Sequence, residues 1–280
     1  MSTDARAIRR VLVPLDGSER ARRVLPAATA LACQAHAGLE LLTVQTAGGD
    51  WEHHLQPLAE ALPLPDVDTT LVSSGPPDEA IADLADRLAG TVVGMATRAR
   101  SGLSEVLLGS TAARVVRRTR SPVLLIGPYA HTPDPHRRYT HLAVCLSGSQ
   151  RAERMLPLVQ RWARQLRIPL TLVHGTAQDT PPGDRAPTER RLRDLADQAP
   201  DVDCPATVHI APGPTPATGV NAYLDRHPDC LALVSVRKGA RLERLLPGGF
   251  TSDLVQRAPT PVVVITAAAA PTRPTETTPR

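Results

Sequence analysis

Short apolar runs recur along the chain, each followed by a polar turn and then by a stretch of helical spacing. Val11-Leu12-Val13-Pro14-Leu15 leads into the turn Asp16-Gly17-Ser18. Beyond Ser18, the residues Val24, Leu25, Ala28, Leu31, Ala32 and Ala35 fall on one helical face. Pro26 predicts an irregular first turn, or a regular helix that starts near the proline, and Gly38 is the expected stop. Residues 39–46 read as a second strand, 51–62 as a short helix and 67–73 as a third strand. Gly75-Pro76-Pro77 turns into a helix over 78–88, and Val92-Val93-Gly94-Met95 is a buried fourth strand. After a loop, Gly109-Ser110-Thr111 reads as a helix start, where a hydroxyl can cap free N–H groups. Ala112, Val115 and Val116 then form the apolar face, with Arg114, Arg117 and Arg118 on a solvated basic face. Pro122 is expected to end that helix before the strand 123–126.

Strands alternating with helices at this spacing predict a parallel sheet covered on both faces. Such sheets bind ligands at the carboxyl ends of their strands, at the switch point. Asp16 ends the first strand and Ala96 follows the fourth, so both are expected at one crevice.

The pattern then restarts. Residues 127–140 carry Gly127, Pro128, Pro133 and Pro135 and read as a linker. His141 to Ser149 repeats the first strand and turn, and Leu156-Pro157 repeats Leu25-Pro26. Runs at 169–174, 206–210, 231–236 and 261–265 repeat the second to fifth strands. The period is that of a duplicated domain and far exceeds the roughly 50 residues of a solenoid repeat.

Composition narrows the class. The chain has 280 residues, 42% of them hydrophobic but only 2% aromatic, so the core is built from Leu, Val, Ile and Ala. A net charge of +4 over this length gives no nucleic-acid signature, and Lys238 is the only lysine. Cys33, Cys145, Cys204 and Cys230 are far apart and carry no metal-ligand spacing, with Cys145 expected as a buried thiol. There is no apolar signal core and no run long enough to span a membrane, so a cytoplasmic protein is expected. No Gly-x-x-x-x-Gly-Lys-Ser/Thr, His-Glu-x-x-His or Gly-x-Ser-x-Gly motif occurs, and His53-His54 lacks a spaced partner. A binding protein is expected in preference to an enzyme.

A Gly-Ser step at a helix start is phosphate chemistry: free N–H donors, a hydroxyl and the positive end of the helix dipole. Ala96-x-x-Ala99, nine residues, then Gly109-Ser110 resembles the nucleotide loop of the universal stress protein family, which reads Gly-x-x-Gly, nine residues, Gly-Ser/Thr. Met95, Arg98, Leu107-Leu108 and Ser121-Pro122-Val123 match around it, and Val13-Pro14-Leu15-Asp16-Gly17-Ser18 matches the family's opening. The resemblance covers the chain apart from its termini and linker.

It implies an α/β architecture of two tandem doubly wound, Rossmann-like domains, 1–128 and 139–268, with sheet order 3-2-1-4-5. Residues 269–280 would be a disordered tail. The final strands of the two domains would pair about a pseudo-twofold, 123–126 beside 262–265, and such strands also imply self-association. It implies an adenine-nucleotide site for ATP in the first domain, with Asp16 on the adenosine side, Val44 against adenine, and Ala96, Ala99, Gly109, Ser110 and Thr111 around the phosphates. Mg²⁺ would accompany the phosphates, with few protein ligands. The implied role is a stress-response regulator; the alternative is an interaction module that keeps the fold and binds no nucleotide.

Three departures bear on that choice. Ala96 and Ala99 replace the two loop glycines. A positive φ at Ala99 would cost about 1–2 kcal/mol. In the second domain Ser147 replaces the aspartate and the loop reads Ser235-x-x-Lys238, nine residues, Gly248-Gly249, so that domain is expected to be mainly structural.

Overall fold

The computed structural model describes residues 7–45, 52–99, 106–107, 110–131, 136, 138–146, 153–198, 205–236 and 250–266. The first half runs β1 (Arg10–Pro14), α1 (Glu19–Arg22), α2 (Leu25–Ala35), β2 (Gly38–Val44), α3 (Glu52–Glu60), β3 (Val67–Val72), α4 (Pro77–Arg87), β4 (Thr91–Ala96), β5 (Arg98–Ala99), β6 (Val106–Leu107), α5 (Ser110–Arg118) and β7 (Val123–Ile126). The second half runs β8 (His141–Leu146), α6 (Leu156–Leu166), β9 (Leu170–Ala177), α7 (Pro182–Asp197), β10 (Ala206–Gly213), α8 (Pro216–Asp225), β11 (Cys230–Val236), α9 (Phe250–Arg257) and β12 (Val262–Thr266).

Ten of these strands form one continuous sheet in the order β10-β9-β8-β11-β12-β7-β4-β1-β2-β3. Each half contributes five parallel strands in the doubly wound order 3-2-1-4-5. The halves join where β12 runs antiparallel to β7, with Val262 opposite Leu125, Val263 opposite Leu124 and Val264 opposite Val123. The predicted pairing of the last strands is therefore made within one chain. Both strands are fully buried, as expected where helices cover both faces. One core lies between the sheet and α2, α3, α6 and α7, the other between the sheet and α4, α5, α8 and α9. Among the described residues no helix is long and apolar enough to cross a membrane.

Local chemistry explains the elements and several departures from expectation. Ser18 caps α1 by accepting from the Ala21 N–H, and the chain breaks at Arg23–Val24 before α2. Pro26 sits in the first turn of α2, and Pro157 sits likewise in α6, where a missing N–H costs nothing. Gly38 is not the stop of α2. His36 takes the left-handed conformation at φ 51°, and its N–H bonds back to Ala32 and Cys33, while Arg167 does the same at φ 56° after α6. Pro122 does not end α5 either, which stops at Arg118. Asp86 then collects the Thr119 hydroxyl and the backbone N–H groups of Arg120 and Ser121. The segment after β4 contains a short hairpin, β5 with β6, where the sequence reads as loop. α7, with two prolines and little apolar periodicity, escapes sequence reading altogether. Cys145 and Cys230 are buried free thiols and Cys33 is exposed. The side chains of His53 and His54, Cys204 and the segment 269–280 lie outside the described residues.

Two glutamines fasten the halves to each other in the same way. Gln34, near the end of α2, accepts from the Tyr139 N–H at 2.8 Å and donates to the carbonyls of Tyr139 and Leu166. Gln165, at the matching place in α6, accepts from the Ile8 N–H at 2.8 Å and donates to the carbonyls of Ile8 and Ala35. Ile8 and Tyr139 each lie two residues before the first strand of their half. The linker is tied down as well: Arg23 donates to the carbonyls of Gly127 and Pro128, and the Tyr139 hydroxyl donates to Ala27 O. Truncating either glutamine leaves backbone groups buried and unpaired. Gln34→Ala and Gln165→Ala should each lower stability by about 2–4 kcal/mol in urea unfolding, with the larger loss in the double variant.

Candidate functional site

A cavity of roughly 270 Å³ opens at the carboxyl ends of the first-half strands. Its wall is formed by the ends of β1, β2 and β4, the first turn of α1, the first two turns of α4 and the first turn of α5. Among the sequence-predicted residues, Asp16, Val44, Ala96, Ser110 and Thr111 all line it. Ala99 lies in β5, paired across the hairpin with Val106. Gly109 lies outside the described residues, as do Ser147, Lys238, Gly248 and Gly249 of the second half.

Asp16 is placed by a tight turn. Gly17 adopts φ 77°, a conformation that favours glycine, and brings Ser18 back over the carboxylate. The Ser18 N–H and hydroxyl both donate to Asp16 Oδ1, and Arg20 donates to Oδ2 at 3.4 Å. Partial burial works against the charge on Asp16, but the Ser18 hydrogen bonds and Arg20 outweigh it and hold the carboxyl below its ordinary pKa. The Asp16 side chain is 60% exposed, so it keeps acceptor capacity toward the cavity. The turn role and a binding role are thus compatible in one residue.

Arg20 is a lining residue that sequence reading missed. Its signal was present: it stands four residues after Asp16, one helical turn on, and among the described residues Asp16 and Arg20 are the charged ones in the lining. Pro77, Ile81 and Met95 add apolar wall. Thr43 donates to the Leu15 carbonyl at 3.1 Å, which fixes the end of β1 against β2.

The basic run on α5 is not simply a solvated face. Asp78, in the first turn of α4 and 3% exposed, accepts from Arg114 Nε at 3.0 Å and Arg118 Nε at 2.8 Å. This holds together the two helices that supply Pro77, Ile81, Ser110 and Thr111 to the lining. The alanine substitutions in the loop carry no left-handed strain. Among the described residues the non-glycine positions with positive φ are His36 and Arg167, and Ala99 sits in a strand.

Residues 46–127, within the first half, match the model of the universal stress protein family. Universal stress protein E of Salmonella typhi is 41% identical over 63 residues, which are 22% of this chain and 20% of that protein. A universal stress protein of Archaeoglobus fulgidus DSM 4304 shares the fold with a TM-score of 0.68 at 18% identity, over 92% of this chain and 98% of that one. A protein of unknown function from Pseudomonas aeruginosa PAO1 superposes with a TM-score of 0.62 at 16% identity, over 95% and 96% of the two chains.

The second unit differs from the first at the matching strand ends. By sheet register Gly175 of β9 stands where Val44 stands in β2, and Pro216 of α8 stands where Pro77 stands in α4. A Cβ on Gly175 would lie 2.1 Å from the Pro216 carbonyl oxygen. A Cβ on Gly219 would lie 2.2 Å from the Ala211 carbonyl oxygen. Helix α8 therefore packs directly on the strand ends where the first unit has its cavity. Gly175→Val should force α8 off β9, cost at least about 2 kcal/mol, and show as a lower urea midpoint, whereas Val44→Gly should leave the fold intact.

Proposed function

We propose that the first unit binds an adenine nucleotide, in a regulatory and not a catalytic role. The observation that carries this reading is the convergence of Asp16, Val44, Ala96, Ser110 and Thr111, from four separate elements, on one cavity at the strand ends. The residues suit the parts of such a ligand. Val44, Pro77, Ile81 and Met95 supply apolar surface for a base, and the acceptor capacity left on the exposed Asp16 carboxylate suits ribose hydroxyls. The start of α5 offers Ser110, Thr111 and unpaired backbone N–H groups to phosphate. Arg20 adds positive charge. Mg²⁺ would accompany the phosphates, with the Ser110 hydroxyl available to help hold it. Bound there, it would neutralise phosphate charge.

The test is calorimetric titration of the purified protein with ATP and Mg²⁺, after assay for co-purified nucleotide. One site per chain is expected. Asp16→Ala and Ser110→Ala should each weaken it about tenfold, or about 1.4 kcal/mol, while Ser147→Ala leaves it unchanged. Arg20→Gln should weaken ATP more than adenosine. No heat, no bound nucleotide and no thermal shift at millimolar ATP would overturn the reading in favour of an interaction module without nucleotide.

A further inference from the structure

The two units differ at one polar position inside the sheet, and the difference is chemical in kind. In the first unit it holds a fixed ion pair: Arg10 of β1 bonds Glu40 of β2, the Leu84 carbonyl of α4 and the Thr91 hydroxyl of β4, and Thr70 of β3 donates to Glu40. Register places His141, Thr171, Cys230 and His209 of the second unit at the positions of Arg10, Glu40, Thr91 and Thr70. Tyr223 of α8 takes the place of Leu84, and His227 that of Leu88. The guanidinium and carboxylate have been replaced by three histidines around a tyrosine.

The cluster is well ordered. His141 Nε2 lies 3.1 Å from the Tyr223 hydroxyl, and its Nδ1 lies 3.2 Å from the Thr140 hydroxyl. The His227 ring stacks on the Tyr223 ring at 4.1 Å and donates from Nδ1 to the Tyr223 carbonyl at 2.7 Å. His209 lies against the same ring at 4.6 Å, and His141 meets His227 edge-on at 5.4 Å. These contacts hold the last turn of α8, the helix whose first turn packs against Gly175 of β9.

We propose that this His141–His209–Tyr223–His227 cluster is a proton-binding site, and that its protonation below neutral pH releases helix α8 from the sheet of the second unit. Stacked and edge-on rings at these distances tolerate one positive charge poorly and two worse. Among the described residues, the charged and titratable groups facing the cluster are His141 from β8, His209 from β10, Cys230 from β11, and Arg226, His227 and Asp229 just after α8. Strand β9 presents the neutral Thr171, while Asp225 of α8 and Arg257 of α9 line a separate open groove with His131. Arg226 opposes a charge on His209. Burial is the main cause that holds both His141 and His209 below the ordinary histidine pKa, with the neighbouring His227 adding to it for each. The unfolded chain thus takes up protons more readily than the folded one. Stability from the cluster is present above the ordinary value of about 6.5 and is lost as the pH falls through and below it. Arg10, charged throughout this range, gives the first unit no such response.

Hydrogen exchange read by mass spectrometry on the full chain tests this, at about pH 7.5 and about pH 5.5. After correction for intrinsic exchange, peptides over α8 should lose protection about tenfold or more at the lower pH, while α4 does not. The response should vanish in His141→Gln/His209→Gln/His227→Gln, whose side chains keep hydrogen-bonding capacity without the charge. Equal protection of α8 at both values, or the same acid response in the triple variant, would overturn the proposal. Should that variant not fold, NMR titration of the unsubstituted protein decides: His141 and His209 must titrate below the ordinary histidine value, and midpoints at or above it refute the site.

Discussion

The antiparallel pairing of β7 with β12 is the constraint on which the rest of this molecule depends. Each strand would otherwise be the apolar edge of a five-stranded sheet, with every residue of 123–126 and 262–266 requiring burial. An uncovered edge of that kind is a template for aggregation. Pairing the two edges removes the hazard and makes ten strands continuous. The same pairing occupies both final strands within one chain. The glutamine clasps then fix the angle between the units from a second place, the ends of α2 and α6. Their hydrogen bonds go to backbone groups that no strand or helix satisfies, and such groups are expensive to leave buried and unpaired.

That rigid frame determines what the crevice can be. The strand ends that carry Asp16, Val44 and Ala96 are set by β1, β2 and β4, and the interhelix contacts of Asp78 set the openings of α4 and α5 beside them. A carboxylate 3% exposed is tolerable there because two guanidinium groups bond it. Removing either partner would free a helix that lines the cavity. Asp78 is therefore a positioning residue for the site although it is not in the lining.

Much of this was legible in the sequence, and what escaped it has identifiable causes. Strand periodicity, the repeated Leu-Pro step and the Asp-Gly-Ser turn are local signals that carried the parallel sheet, the duplication and the meeting of Asp16 with Ala96 at one crevice, while the sheet order and Val44 came from the resemblance of the loop and opening motifs. The helix stop was misassigned to Gly38 because glycine is the usual left-handed residue, whereas His36 and Arg167 take that conformation here. Helix α7 has no apolar stripe to read, since only Leu192 and Ala196 of it are buried. Arg114 and Arg118 read as a solvated face because their partner, Asp78, lies 36 and 40 residues away in sequence. The glutamine clasps were invisible for the same reason: a polar residue near a helix end shows its partner only once two units are docked.

The two units also show how a duplicated fold diverges at matching positions. Val44 and Pro77 both line the cavity of the first unit. Glycine at the matching position in β9 lets the backbone of α8 approach to contact distance, since a Cβ there would lie 2.1 Å from the Pro216 carbonyl oxygen. The polar position under the same helix has diverged as well. Arg10 bridges Glu40 and the Leu84 carbonyl in the first unit, whereas histidines gather around Tyr223 in the second. Close backbone packing at one end of α8 and ring packing at the other thus do for this helix what an ion pair does for α4.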